Sequence, residues 1–350
     1  MKLRFFAVVV IGVMLSNFAA FAAVDDHGKK AKKRPVNRLV ALLPASDGVA
    51  IFEAKRFLDE GLPKLLSANQ PMLGEIMAKI NEMENRTGID LRKFEEVAVG
   101  VSFKQISATE TDFEPVVIAN GDINAGALVA VAKLVSKGSY REEKIGERTV
   151  YVFTAQDVLK NAPVQATNSK ITSTMDKALK GLTKEIAVTS LDAKTLIIGT
   201  LPRVRETLAG ESHVGAELAA LLSQKETAVM TFALRPPGGM AGMLPLDNDE
   251  LGKNLDSIQY LSGSLDVAAI GTSLQVNART AKPEQAAGLK DTLAGLQMIG
   301  RTFLGGSKRV DQQVYARMLK NAKIDSRGTD VTLDLLVPQA DIDILVAGIK

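Results

Sequence analysis

Apolar positions recur along this chain at two different periods. Phe57, Leu58, Leu62 and Leu65 follow one another at helical spacing, which predicts a helix over about 53–66. Leu73, Ile76, Met77, Ile80 and Met83 repeat that spacing. They come after Pro71, a residue suited to the first helical turn, and before Gly88, which ends the helix. Elsewhere the period drops to two. Residues 273–280 alternate Leu274, Val276 and Ala278 with Ser273, Gln275, Asn277 and Arg279, so one face of that strand is apolar and the other wet. Near the start, Arg38-Leu39-Val40 begins a strand that resumes at Gly48–Phe52 after the turn Pro44-Ala45-Ser46-Asp47.

The two periods combine into a recurring unit of two strands and a helix. One copy is 97–103, 115–120 and a helix near 124–137. A second is 185–190, 195–200 and 202–209, and a third is 259–267, 273–280 and 283–303. The last is 322–325, 330–337 and a closing helix from Pro338. Glu185-Ile186, Leu196-Ile197-Ile198, Pro202 and Leu208 match Lys323-Ile324, Leu333-Asp334-Leu335, Pro338 and Leu345 in pattern. Hairpins with short turns make antiparallel sheet. The predicted fold is therefore α+β: antiparallel sheets of repeated β-β-α units with helices packed on one face. The units form two similar lobes, 39–226 and 227–350, with a seam near 223–228. Two turn-rich stretches, 162–174 and 235–248, read as long loops.

The N-terminus changes the picture. Lys2 and Arg4 precede an apolar run from Phe5 to Leu15, and small residues around Ala20 and Ala22 follow. This order is that of a secretory signal peptide over residues 1–22, cut after Ala22. Eleven residues at helical rise reach about 16 Å, half of a bilayer core of about 30 Å. The expectation is an exported protein, periplasmic or secreted, with no transmembrane span in the mature chain. Residues 23–38 read as a basic, flexible leader.

Composition narrows the chemistry. The chain has no cysteine, so disulfides, thiolate nucleophiles and Cys-based metal sites are excluded. Aromatics make up 5% of the sequence and Trp is absent, which disfavours ring-lined stacking platforms. Loss of Lys2 and Arg4 with the signal leaves 41 basic against 40 acidic side chains. Six of those bases, Lys29, Lys30, Lys32, Lys33, Arg34 and Arg38, sit in the leader, a candidate contact for an anionic surface. The near-neutral remainder gives no field that would attract nucleic acid.

Motifs that resemble active-site signatures fail on inspection. Of two histidines, His27 lies in the leader and His213 follows Ser212, which reads as the cap of a helix over 214–223. Gly121-Asp122-Ile123-Asn124-Ala125-Gly126-Ala127 has phosphate-loop spacing but lacks the following Lys and Ser/Thr, so Asn124 or Asp122 serves as a helix cap. Asp247–Gly252 opens like a calcium loop, yet position twelve is Ile258. Ser264 sits inside a strand and not on a nucleophile elbow. No catalytic, cofactor or metal residue is assigned. Met240, Met243, Leu244 and Leu246, set among glycines and prolines, form a candidate partner-binding loop.

Leu43-Pro44-x-Ser46-Asp47, Thr87-Gly88-Ile89-Asp90, Val97-Ala98-Val99-Gly100-Val101, Gly121-Asp122 and Gly328-Thr329-Asp330-Val331 together resemble a family of uncharacterised exported bacterial proteins, a domain of unknown function. The resemblance implies an envelope location and carries over no functional residue. The expected function is non-enzymatic binding of an envelope protein or ligand, through the wet sheet face or the 235–248 loop. The alternative is a periplasmic hydrolase using carboxylates or a Ser–Lys pair, chemistry that needs neither His nor Cys.

Overall fold

A computed structural model describes residues 37–107, 110–154, 185–222, 228–238 and 249–347. The predicted signal peptide, the leader before residue 37 and the 162–174 loop lie outside them. Strands are β1 (Gly48–Phe52), β2 (Phe94–Ser107), β3 (Glu110–Gly121), β4 (Tyr140–Ile145), β5 (Arg148–Phe153), β6 (Ile186–Asp192) and β7 (Thr195–Gly199). They continue with β8 (Met230–Leu234), β9 (Ile258–Ala268), β10 (Gly271–Thr280), β11 (Lys323–Arg327) and β12 (Asp330–Pro338). Helix α1 spans 54–65 with a π turn at Phe57–Gly61. The others are α2 (Gln70–Thr87), α3 (Ala125–Val135), α4 (Leu201–Ala209), α5 (Ala216–Leu221), α6 (Asp249–Asp256), α7 (Pro283–Gly305), α8 (Val310–Asn321) and α9 (Gln339–Ala347).

All twelve strands join one antiparallel sheet, in the order β11-β12-β10-β9-β8-β1-β2-β3-β7-β6-β5-β4. Its centre follows from composition. β1 is the uninterrupted apolar run Gly-Val-Ala-Ile-Phe, buried at every position, and such a strand needs cover on both faces and pairing on both edges. It pairs with β2 on one side and β8 on the other, so the sheet runs unbroken from the first predicted lobe into the second. The seam residues 223–227 themselves lie outside the described residues. The outermost strands, β4 and β11, carry Arg141, Glu142, Glu143 and Lys144, and Lys323, Asp325 and Arg327. Charges of this kind on exposed edges block pairing with further chains.

Register sorts the side chains onto two faces. One face is covered along the whole sheet. There α1 packs over Phe52, Val97 and Val99, α3 over Phe153, Val188 and Leu196, α6 and α7 over Ala278 and Val331, and α8 and α9 over Leu333, Leu335 and Val337. The opposite face is covered only in the first half, where α4, α5 and the 3-10 turn Val40–Leu42 bury Val49, Ile51, Ala98, Ile118 and Ile197. The expected one-sided helix packing thus describes the second half. In the first half the strands are apolar on both faces and take helices on both.

All four predicted strand-strand-helix units are present, as β2-β3-α3, β6-β7-α4, β9-β10-α7 and β11-β12-α9. Gly88 ends α2 with φ 71°, and Asn124 caps α3 by accepting from the Ala127 N–H at 3.0 Å. Two local expectations are corrected. Arg38–Val40 is no strand: Asn37 Oδ1 accepts from the N–H groups of Leu39 (2.8 Å) and Val40 (3.2 Å), curling the chain into a turn that buries Leu39, Val40 and Leu43. Ser212 does not cap α5, which starts from Gly215. Its hydroxyl instead accepts from the Ala45 N–H at 3.4 Å.

The Pro44–Asp47 turn is fastened from inside. Arg203 of α4, only 3% exposed, donates through Nη2 to the Ala45 carbonyl (2.7 Å) and to Ser46 Oγ (2.8 Å), while Nη1 pairs with Glu206. A buried guanidinium is tolerated because of those partners, and deleting it strands the Ala45 carbonyl. Arg203→Met should lower unfolding stability by about 3 kcal/mol, read from urea denaturation. An unchanged midpoint would mean that the turn is held by other contacts.

Candidate binding face

In the second half the sheet presents a polar face that no helix covers over β10 and β12 among the described residues; at its β9 border Tyr260 meets Glu217 of α5, and Asp266 pairs with Arg56 of α1 at 3.4 Å. β10 supplies Ser273, Gln275, Asn277 and Arg279, the wet side predicted from alternation. Neighbouring strands carry the same pattern in register. β9 places Asp266, Ser264, Ser262 and Tyr260 opposite those four residues in turn, and β12 places Asp334, Thr332 and Asp330 opposite the last three. β11 adds Lys323, Asp325 and Arg327 at the edge. The alternations Ser262-x-Ser264-x-Asp266 and Asp330-x-Thr332-x-Asp334 are visible in the sequence, and they are the signal that would have extended the site beyond β10.

Cross-strand bonds order this surface. Gln275 Nε2 donates to Asp334 Oδ1 (3.1 Å), Asn277 Nδ2 to Asp330 Oδ1 (3.2 Å) and Arg279 Nε to the same oxygen (2.9 Å). Asn277 Oδ1 is buried without a hydrogen-bond partner among the described residues. A buried acceptor of that kind is costly unless something donates to it. Ser262 and Ser264 are buried toward β8, whereas Lys323, Asp325 and Arg327 are exposed, so the face deepens from edge to centre. Charges alternate in sign across it. The backbone N–H of Ser326 and then Lys290 hold the Asp325 carboxyl below its ordinary range. The surface is rich in donors and acceptors of fixed geometry and has no dominant charge, which suits recognition of a polar, uncharged or zwitterionic surface.

Little here could activate a nucleophile. Ser264 lies in register between Thr231 and Gln275, with no lysine at either neighbouring position. His213 is exposed beside α5. Among the described residues no three of His, Cys, Asp and Glu converge as metal ligands would.

The other predicted site residues separate. Met240, Met243, Leu244 and Leu246 lie outside the described residues, as do Lys29, Lys30, Lys32, Lys33 and Arg34. The root of the 235–248 loop is described: the Arg235 N–H donates to the Asp47 carbonyl (2.7 Å), and its guanidinium lies 5.6 Å from the Tyr260 ring centroid. Tyr260 in turn donates to Glu217 of α5. Arg235, at the root of the loop, therefore lies at the border of the polar face. Arg38 faces Asp192 at 3.8 Å. Burial works to raise that carboxyl, but the Lys194 N–H, the Thr195 hydroxyl and Arg38 outweigh it and lower it.

A pair of carboxylates stands at the start of β2. Burial and then the neighbouring Glu96 push the Glu53 carboxyl up, against the pull of Arg56. Burial also raises Glu96, although Asn37 Nδ2 donates to it and works the other way.

No family model matches the chain, and no curated protein does. Among solved structures it is similar to TP0453. Crystal form I matches with a TM-score of 0.43 at 7% identity, covering 90% of this chain and 98% of that one. Form IV matches with 0.42 at 10% identity over 90% and 98%. No helix of the described residues is long and apolar enough to cross a membrane.

The raised carboxyls give a pH signature. Their protonated forms are favoured by the fold, so the stability they contribute is full below the ordinary value of 4.5 and is lost as pH rises through the raised values. Glu96→Gln keeps an acceptor for Asn37 but cannot ionise. The variant should gain stability over the parent at about pH 7 and lose that gain at about pH 4, measured by denaturation at both. A gain independent of pH would show that the two carboxyls are not strained by ionisation.

Proposed function

We propose that this chain is an exported, non-enzymatic binding protein of the bacterial cell envelope that takes a polar partner on the polar face of β9–β12. The observation that carries the reading is the one-sided packing of the second half. Helices α6 to α9 crowd one face of those strands, while the other keeps an ordered array of serines, amides, carboxylates and guanidinium groups. Ordering polar side chains in fixed pairs costs conformational entropy, and a surface with no task has no need of it. Proximity of the loop root at Arg235 adds a second, adaptable contact to the same border.

Site-specific photo-crosslinking tests this. A photoreactive residue at Thr332, on the polar face, should form a discrete adduct in envelope extract, and the same residue at Lys144, on the far edge strand, should not. Arg279→Ala with Asn277→Ala should abolish the adduct while leaving the melting transition in place. Equal labelling from both positions, or an adduct indifferent to the double substitution, would refute the assignment.

The hydrolase reading has its own motivating observation in the Glu53–Glu96 pair, since raised carboxyls can serve as general acids. It would be preferred if turnover of an envelope polymer by the parent protein vanished in Glu53→Gln.

A further inference from the structure

The two halves of the sheet are images of each other. β1 and β8 are both five residues long and pair end to end, Gly48 with Leu234 and Phe52 with Met230. Their central pair, Ala50 with Phe232, therefore marks a twofold axis normal to the sheet. Strand order outward repeats, β2-β3-β7-β6 on one side and β9-β10-β12-β11 on the other. Backbone hydrogen bonds repeat with it. The Asp47 N–H donates to the Val101 carbonyl (2.8 Å) as Val229 does to Leu265 (2.9 Å), and Glu53 to Val229 (2.9 Å) as Arg235 to Asp47 (2.7 Å). Gly121 donates to Lys194 (3.2 Å) as Thr280 does to Thr329 (2.9 Å).

An axis in that direction carries each face of the sheet onto itself, so the polar face has a counterpart in the first half. Register identifies it: Gln275, Asn277, Thr332 and Asp334 take the places of Val116, Ile118, Ile197 and Gly199. In the first half that area lies under α4, whose Leu201 and Val204 share a core with Val116, Ile118 and Ile197. α9 follows β12 as α4 follows β7, and both helices have nine residues. Yet β7 stops at Gly199, whereas β12 runs on through Leu335 and Val337 to Pro338, and α9 packs with those two residues on the opposite face. Among the described residues no helix takes the α4 position over β10, β12 and β11.

Chemistry at that position decides what can lie there. An apolar stripe like that of α4 would press hydrocarbon onto Gln275, Asn277 and Asp334 and leave their polar groups without partners. A stripe of hydroxyls, amides and paired charges would satisfy them. Permanent cover is apolar, as in the first half, while partners that come and go meet on more polar surfaces that stay soluble when empty.

We propose, resting on the binding role of the polar face, that its partner docks as an α-helix of another protein. The helix lies over β10, β12 and β11 as α4 lies over β3, β7 and β6, with a polar stripe against Gln275, Asn277 and Thr332.

Strand and helix measure length differently, which supplies the test. Thr332 and Leu336 alternate onto the polar face, opposite Asn277 and Ser273, and stand about 13 Å apart at strand rise. That distance is about nine residues of helix but about four of extended chain. A photoreactive residue is placed at each position in turn, and the residues captured from envelope extract are identified by mass spectrometry. The two adducts should fall on one partner segment, about nine residues apart. A synthetic peptide of that segment should bind the purified chain, and a central proline should weaken it about a hundredfold, whereas a central alanine should not. Adducts about four residues apart, adducts on a glycan, or a peptide indifferent to proline would overturn the helical partner while leaving the face a binding surface. No adduct from either position, with the labelled chains folded by circular dichroism, would remove the binding face and this proposal together. Capture of the chain's own residues would assign the face to a second copy and overturn the proposal as well.

Discussion

Antiparallel pairing of β1 with β8 is the interaction on which the molecule depends. Each half of the chain, folded alone, would leave a buried, largely apolar strand at an open edge, with unpaired amides and carbonyls that water could reach only by exposing Val49, Ile51, Ala233 and Leu234. Five residues of β1 meeting five of β8 remove both edges at once. The strands left at the ends, β4 and β11, are the charged ones. The order of strands is thus set by where an edge can be tolerated, and the long sequence separation of the central pair makes it a late and slow contact to form.

That join also explains the asymmetry between halves. Around β1 the strands are apolar on both sides, so cover is needed above and below, and α4, α5 and the buried Arg203 turn provide it on the second side. Moving outward through β9, β10 and β12, residues on that side change to serine, amide and acid, and the helices stop. The polar face is consequently a graded continuation of a core layer: buried hydroxyls near β8, exposed charges at β11. A rigid, twisted scaffold beneath fixes donors and acceptors at strand spacing, the preorganisation on which recognition of a polar partner draws.

Much of this was legible in residues. Alternation at 273–280 identified the wet face, Gly88 and Asn124 marked helix ends, and the four strand-strand-helix units appeared in order. What escaped had physical reasons. The hairpin β4–β5 begins Tyr140-Arg-Glu-Glu-Lys-Ile145, a charged segment whose strand character comes from edge position and from packing of Tyr140, Tyr151 and Phe153 under α3, not from alternation. Strand β8 is five residues long, and its sequence Met-Thr-Phe-Ala-Leu is too short and too nearly apolar for periodicity alone to assign it. The turn at Val40 depends on the Asn37 side chain, a local hydrogen bond that competes with extended backbone. Alternation reveals the polar face as only one strand wide because register, which aligns Ser264 with Gln275 and Asp334 with Gln275, is a tertiary fact.

The long helix α7 shows how a correct local reading can miss a functional consequence. Its stripe from Ala286 to Phe303 has the period of a core helix throughout, and periodicity carries no information about where the sheet beneath it ends. Only packing reveals that the first turns are buried and the last are not. With the first turns of α7 resting on the covered face of the sheet and the polar array on the other, occupation of one surface leaves the other free.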